Sequence, residues 1–169
     1  MSLDKSELLA LLRMVDEHLE RKIILVAVGG TAMTLLNAKP STLDIDLTGP
    51  GKDIDAFREI EKTLAHGFKL DLWKDGQVFS QFLPDNYLDN SIIIRTGLKK
   101  IQLRALHPID IVATKIGRMD AKDHQDIEMS VKKFGLKKNQ IKKRAGEIEY
   151  VGNEQVFQAN MQYALKTFF

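Results

Sequence analysis

Between Ser6 and Glu20 the apolar residues Leu8, Leu12, Val15 and Leu19 recur at helical spacing with charges between them, which predicts an amphipathic helix. The pattern then changes. "KIILVAV", Lys22 to Val28, is a continuous run rich in branched residues and ended by Gly29 and Gly30, as expected of a buried strand. "TAMTLLNA" follows the glycines as a short helix, broken by Pro40 and Ser41. "TLDIDLT" alternates, with Leu43, Ile45 and Leu47 on one strand face and Thr42, Asp44, Asp46 and Thr48 on the other. After the turn Gly49-Pro50-Gly51, a helix is predicted from Asp53 to His66, closed by Gly67. "FKLDLW" alternates again, placing Lys69, Asp71 and Trp73 on one face.

Residues 75–90 are loop-rich, and "SIIIRT" and "IQLRAL" read as a hairpin joined through residues 97–100. From Pro108, at a helix start, the pattern is helical to Phe169. Strands early and helices late predict an α+β (mixed α/β) core over residues 1–106, a mixed sheet flanked by helices, with a C-terminal helical part over 107–169 packed on it.

Composition narrows the chemistry. A chain of 169 residues, 44% hydrophobic and 28% charged, is ordinary for one globular domain or for a core with a helical appendage. It holds no apolar run of about 18 residues, and the start "MSLDKSELLALL" carries acids where a signal peptide has a basic end. The expectation is a cytoplasmic protein with no membrane span. The absence of cysteine excludes disulfides, thiolate metal sites and a cysteine nucleophile, leaving carboxylates, hydroxyls, lysines and four histidines that show no metal spacing. A net charge of +2 makes no case for nucleic acid, but the basic residues are uneven. Lys132, Lys133, Lys137, Lys138, Lys142, Lys143 and Arg144 lie in a window from Val131 to Arg144 that holds no acid. Such a run is a solvated helix face or a patch for RNA or another polyanion.

The stretch "GGTAMTLLNAKPSTLDIDL", Gly29 to Leu47, holds the most chemistry. Two strand residues two apart point the same way, so Asp44 and Asp46 present both carboxylates to one side, where they can hold a hard divalent ion such as Mg2+. Gly29 and Gly30, lacking Cβ, let a phosphate approach main-chain amides, and a helix start at Thr31 adds a favourable dipole.

With a strand before the glycines and the aspartates in the next alternating segment, the chain resembles the nucleotidyltransferases of the DNA polymerase beta type. It looks most like their minimal branch, related to the AbiEii abortive-infection toxins. The resemblance rests on "VGGTAMTLLNAKPSTLDIDL" at the front and "HPIDIVATKIGRMDAKDHQDI" behind, the latter giving Pro108, Asp110, Lys115, Asp123 and Asp126. It implies that Gly29, Gly30, Thr31 and Thr42 meet the nucleotide, that Asp44 and Asp46 hold Mg2+ or Mn2+, and that Asp71 is the third carboxylate, activating the attacking hydroxyl. Lys115 becomes a candidate for the triphosphate or the substrate, and Asp123 and Asp126 either lock Lys115 or Arg118 or cap the next helix. Many relatives carry an arginine before the "T-x-DIDL" threonine, where this chain has Lys39 as the nearest cation.

The function expected is a metal-dependent transfer of a nucleoside monophosphate from an NTP to a hydroxyl, as in the toxin of a toxin-antitoxin pair, with an antitoxin protein as a partner. The acceptor stays open between an RNA or tRNA end met by Lys132–Arg144, a protein hydroxyl and a small molecule. The alternatives are a catalytically degenerate nucleotide-binding protein and a basic RNA or protein interaction module.

Overall fold

The computed structural model describes residues 2–169. In chain order the elements are β1 (Leu3–Asp4), α1 (Lys5–Asp16), β2 (Ile23–Ala27), α2 (Gly29–Leu35), β3 (Ser41–Thr42), β4 (Ile45–Thr48), α3 (Gly51–Glu61), β5 (Leu70–Leu72) and β6 (Gln77–Val78). They continue as β7 (Gln81–Phe82), α4 (Tyr87–Asn90), β8 (Ile92–Ile93), β9 (Ile101–Ala105), α5 (Pro108–Arg118), α6 (Ala121–Phe134), α7 (Lys138–Glu147), β10 (Glu149–Tyr150) and α8 (Glu154–Thr167). The fold is α+β, as expected. The chain forms two compact units, one from residues 1–75 and 91–106, the other from 76–90 and 107–169.

The first unit is built on a mixed five-stranded sheet in the order β5-β4-β2-β9-β8. The strands β2 and β9 run parallel with Leu25 opposite Leu103, β4 lies antiparallel to β2, and β5 lies parallel to β4. The central β2 is apolar on both faces because both are covered: Ile23, Leu25, Val26 and Ala27 are all buried. Helix α1 lays Leu8, Leu11, Leu12 and Val15 into this core, and α3 adds Ile54 and Phe57.

Three boundaries differ from the sequence expectation, each for a local reason. Helix α1 begins with a capping box, in which Asp4 accepts from the Glu7 amide and the Glu7 carboxylate accepts from the Asp4 amide. It ends at Asp16 rather than Glu20, where the Asp16 carboxylate accepts the amides of Lys99, Lys100 and Ile101. Helix α3 stops at Glu61 rather than His66, its end tightened by Thr63 and Leu64 donating to Ile60 and Glu61. Gly67 has no left-handed φ and does not close it. The alternating segment 42–48 is not one strand, because the chain bends at Leu43 and Asp44 and leaves Leu43 55% exposed.

Burial opposes ionisation of Asp16, but the three amides and the Lys100 charge outweigh it and hold the carboxyl below its usual value. A depressed carboxylate contributes stability above its unfolded value and loses it as pH falls through the folded value. Asp16→Asn is therefore expected to flatten the acid limb of the stability curve below about pH 4, read by urea unfolding at stepped pH. An acid limb as steep as that of the wild type would contradict this.

The second unit is mainly helical. Helices α5 to α8 bury Val112, Ile116, Ile127, Ile141, Phe157, Met161 and Leu165 in one cluster. The loop-rich segment contributes a small antiparallel sheet, β10-β7-β6, with Tyr150 opposite Gln81. Pro108 opens α5, as its missing amide proton allows, and left-handed Gly135 closes α6.

Candidate functional site: a glycine turn and three aspartates

The glycines start α2 immediately after β2. Gly29 sits at φ +54, which a side chain would strain, and a Cβ on Gly30 would come 3.0 Å from the Thr42 hydroxyl. Position 29 therefore favours glycine, while a side chain at Gly30 would push the Thr42 hydroxyl aside. The first helical main-chain bond runs from the Ala32 amide to the Val28 carbonyl, so the amides of Gly29, Gly30 and Thr31 have no acceptor within the helix.

The two threonines organise the carboxylate strand. Thr31 is 1% exposed, and its hydroxyl donates to the Asp44 carbonyl at 3.1 Å while accepting the Asp46 amide at 2.9 Å. Thr42 donates to the same Asp44 carbonyl at 3.0 Å. Two hydroxyls on one carbonyl produce the bend at Asp44 and fix where both aspartates leave the backbone. Asp46 is held further by its carbonyl, which accepts the Val28 amide. Thr31→Val, nearly the same size, strands a buried amide, so a loss of about 1–3 kcal/mol is expected in denaturant unfolding. Stability equal to the wild type would show the clamp to be dispensable.

Parallel pairing of β4 and β5 sets Asp46 directly opposite Asp71, on neighbouring strands about 4.8 Å apart. The ammonium of Lys69 lies 3.8 Å from Asp44 Oδ2 and 3.4 Å from Asp71 Oδ2. Asp44 first, then Asp71, and more weakly Asp46, raise its pKa. Among the described residues no three carboxylate or imidazole groups are gathered closely enough to hold a metal as they stand. The donor set is nonetheless hard oxygen, and the place facing it is filled by a cation, the lysine. Lys69 carried no role in the sequence reading, although "KLD" puts it two residues before Asp71 on the same face. Lys39 approaches the glycine turn, its Nζ lying 3.7 Å from where a Gly30 Cβ would stand.

The remaining sequence candidates lie in the second unit. Lys115 is 3% exposed, with Nζ 2.8 Å from Asp126 Oδ2 and 3.2 Å from Asp123 Oδ1. Asp123 also accepts two bonds from Arg118, at 2.7 and 2.9 Å, and the Asp120 amide at the start of α6. Burial works against its charge, but the Arg118 hydrogen bonds and the Lys115 ammonium hold its carboxyl below the usual value. The locking and capping geometry of Asp123 and Asp126 is thus present, with the Lys115 ammonium inside it. Of the seven cations from Lys132 to Arg144, the lysines are exposed and Arg144 is buried against Asp110.

A glycine turn after β2 is thus clamped to the segment that carries Asp44, in the bend before β4, and Asp46, on β4, with Asp71 in register on β5. The chain matches, over residues 6–167, the family described as nucleotidyltransferase of unknown function (DUF6036), and it belongs to that family. Neither the curated proteins nor the solved structures give a significant match. Among the described residues no helix is long and apolar enough to cross a membrane.

Proposed function

We propose that the protein transfers a nucleoside monophosphate from an NTP to an acceptor hydroxyl, using Asp44, Asp46 and Asp71 as its carboxylates. What supports this is the register that sets Asp46 opposite Asp71, with the Lys69 ammonium 3.8 and 3.4 Å from Asp44 and Asp71, next to the chain that Thr31 ties to the glycine turn. In the reaction the acceptor oxygen bonds to the α-phosphorus and the bond to the bridging oxygen of the β-phosphate breaks, releasing pyrophosphate. The acceptor proton passes to Asp71. Gly29, Gly30 and Thr31 offer their amides to the phosphates, while the hydroxyls of Thr31 and Thr42 position the aspartates. Asp44, Asp46 and Asp71 would hold Mg2+ or Mn2+ once Lys69 has swung aside. Bound there, the ion supplies the Lewis acidity that neutralises charge on the transferring phosphoryl group.

The exposed lysines from Lys132 to Lys143 suit a polyanionic acceptor, and RNA is the acceptor we favour. The finer form of this reading is an AbiEii-like toxin, for which expression should arrest growth in a manner that depends on Asp46. The direct test is incubation with α-labelled ATP, GTP, CTP and UTP in the presence of total small RNA. Label on RNA, with pyrophosphate released in equal amount, is expected; no label from any NTP contradicts it.

Lys69 makes a second reading specific. An ammonium seated among the carboxylates can stand in for the metal permanently, giving a protein that binds nucleotide without turnover. The two readings part on Lys69→Met. If lysine and metal compete for one place, removing the charge tightens Mn2+ binding several-fold, measured by electron paramagnetic resonance. Unchanged or weaker Mn2+ binding favours the degenerate reading.

A further inference from the structure

A cavity of about 420 Å³ lies wholly within the second unit, bordered by α4, α7 and the start of α5. Its floor is Arg144, whose guanidinium bonds Asp110 through both Nε and Nη2 and reaches Asn86 and Glu147 through Nη1 at 2.9 and 2.8 Å. Asp110 is thereby spent on the arginine through both oxygens, and Glu147 through one.

Of the other polar groups at the rim, three have an acceptor end occupied, while Asn90 presents both ends of its amide. His107 Nδ1 accepts the Ile109 amide at the start of α5, so the ring proton sits on Nε2. Asn86 Oδ1 is taken by Arg144, and Gln140 Oε1 accepts the Lys137 amide, leaving each side-chain NH2 to donate. Lys143 can only donate. Imidazole N–H, two amide NH2 groups and an ammonium thus line a space in which donors outnumber the acceptors, these being the Asn90 amide oxygen and the second oxygen of Glu147. Helix α7 carries Lys138, Lys142, Lys143 and Arg144 against Glu147, while α4 and α5 bring Asp89 and Asp110, the latter paired with Arg144.

We propose that this cavity binds a phosphate group. Donors from four separate side chains suit a group with three or more acceptor oxygens better than a carboxylate with two. The volume exceeds that of a bare anion and falls within the range of small-molecule sites, so the phosphate arrives attached to something of nucleotide size. The source is a free mononucleotide or the terminal nucleotide of an RNA. The site shares no residue with the glycine turn or the three aspartates, and it stands whether or not they catalyse transfer.

The test follows the His107 ring resonances by NMR, without divalent metal, in wild type, Lys143→Met and Asp44→Asn/Asp46→Asn. Probes are AMP, adenosine, glutamate, and a short oligoribonucleotide with a 5′-phosphate or a 5′-hydroxyl. A saturable shift is expected with AMP or the 5′-phosphorylated RNA, whichever binds tighter naming the source. It should be absent with adenosine, glutamate and sodium chloride of matched ionic strength. Affinity should fall about tenfold in Lys143→Met, one charge-assisted contact being lost, and stay unchanged in the double aspartate variant. Lys143 is exposed, so Lys143→Met should keep the wild-type amide spectrum. No saturable shift with any phosphate probe, equal binding of adenosine or glutamate, or indifference to Lys143→Met would overturn the proposal.

Discussion

Asp46→Asn is expected to lower nucleotidyl transfer by about a thousandfold or more while leaving the melting temperature nearly unchanged, since stabilising phosphoryl charge through a carboxylate-held metal is worth several kcal/mol and each 1.36 kcal/mol is tenfold in rate. The substitution keeps the shape of the side chain. The main chain at this position is held independently of the carboxylate, its amide by the Thr31 hydroxyl and its carbonyl by the Val28 amide. A loss of rate therefore reports on the charge and not on the fold. Pyrophosphate release measured beside thermal unfolding separates the two, and turnover within tenfold of wild type would remove Asp46 from the chemistry.

Lys115→Met is expected to act in the opposite sense, on stability first. The ammonium neutralises two carboxylates at 2.8 and 3.2 Å in a place where the lysine is 3% exposed. Deleting one member of a buried charge cluster costs about 3–5 kcal/mol, because the carboxylates lose their counter-charge without regaining water. Arg118 still serves Asp123, so the burden falls mostly on Asp126. The double variant Lys115→Met/Asp126→Asn should recover part of the loss. Urea unfolding decides this. Unaltered stability with weaker nucleotide binding would instead restore Lys115 to the triphosphate role that the family resemblance implies for it.

The elements most legible in the sequence are those whose signal is local. "KIILVAV" reads as a buried strand because a continuous branched run has few other uses, and the stripe Leu8, Leu12, Val15 fixes the inner face of α1. Pro108 announces α5 in the same way. The glycine turn and Asp44, Asp46 and Asp71 were visible as residue types. What fixes their geometry was not visible, because it depends on bonds between residues far apart in the chain. The Thr31 hydroxyl reaches 13 and 15 residues ahead to Asp44 and Asp46. The register that sets Asp71 beside Asp46 belongs to the sheet, and no pattern within "FKLDLW" specifies it. Helices end earlier than their apolar pattern where a side chain or a tight turn, and not a glycine, stops them, as at Asp16 and Glu61. Arg144 looked like one more member of a basic run, since its partner Asp110 lies 34 residues away.

The central claim is that Asp44, Asp46 and Asp71 form a metal and nucleotide site. Isothermal titration of wild type and Asp44→Asn/Asp46→Asn with ATP, GTP, CTP and UTP, each with and without Mg2+, tests it most directly. The account predicts Mg2+-dependent binding of at least one triphosphate by wild type and its loss in the double variant. Binding that is absent, indifferent to Mg2+, or retained when both carboxylates are neutralised would contradict it.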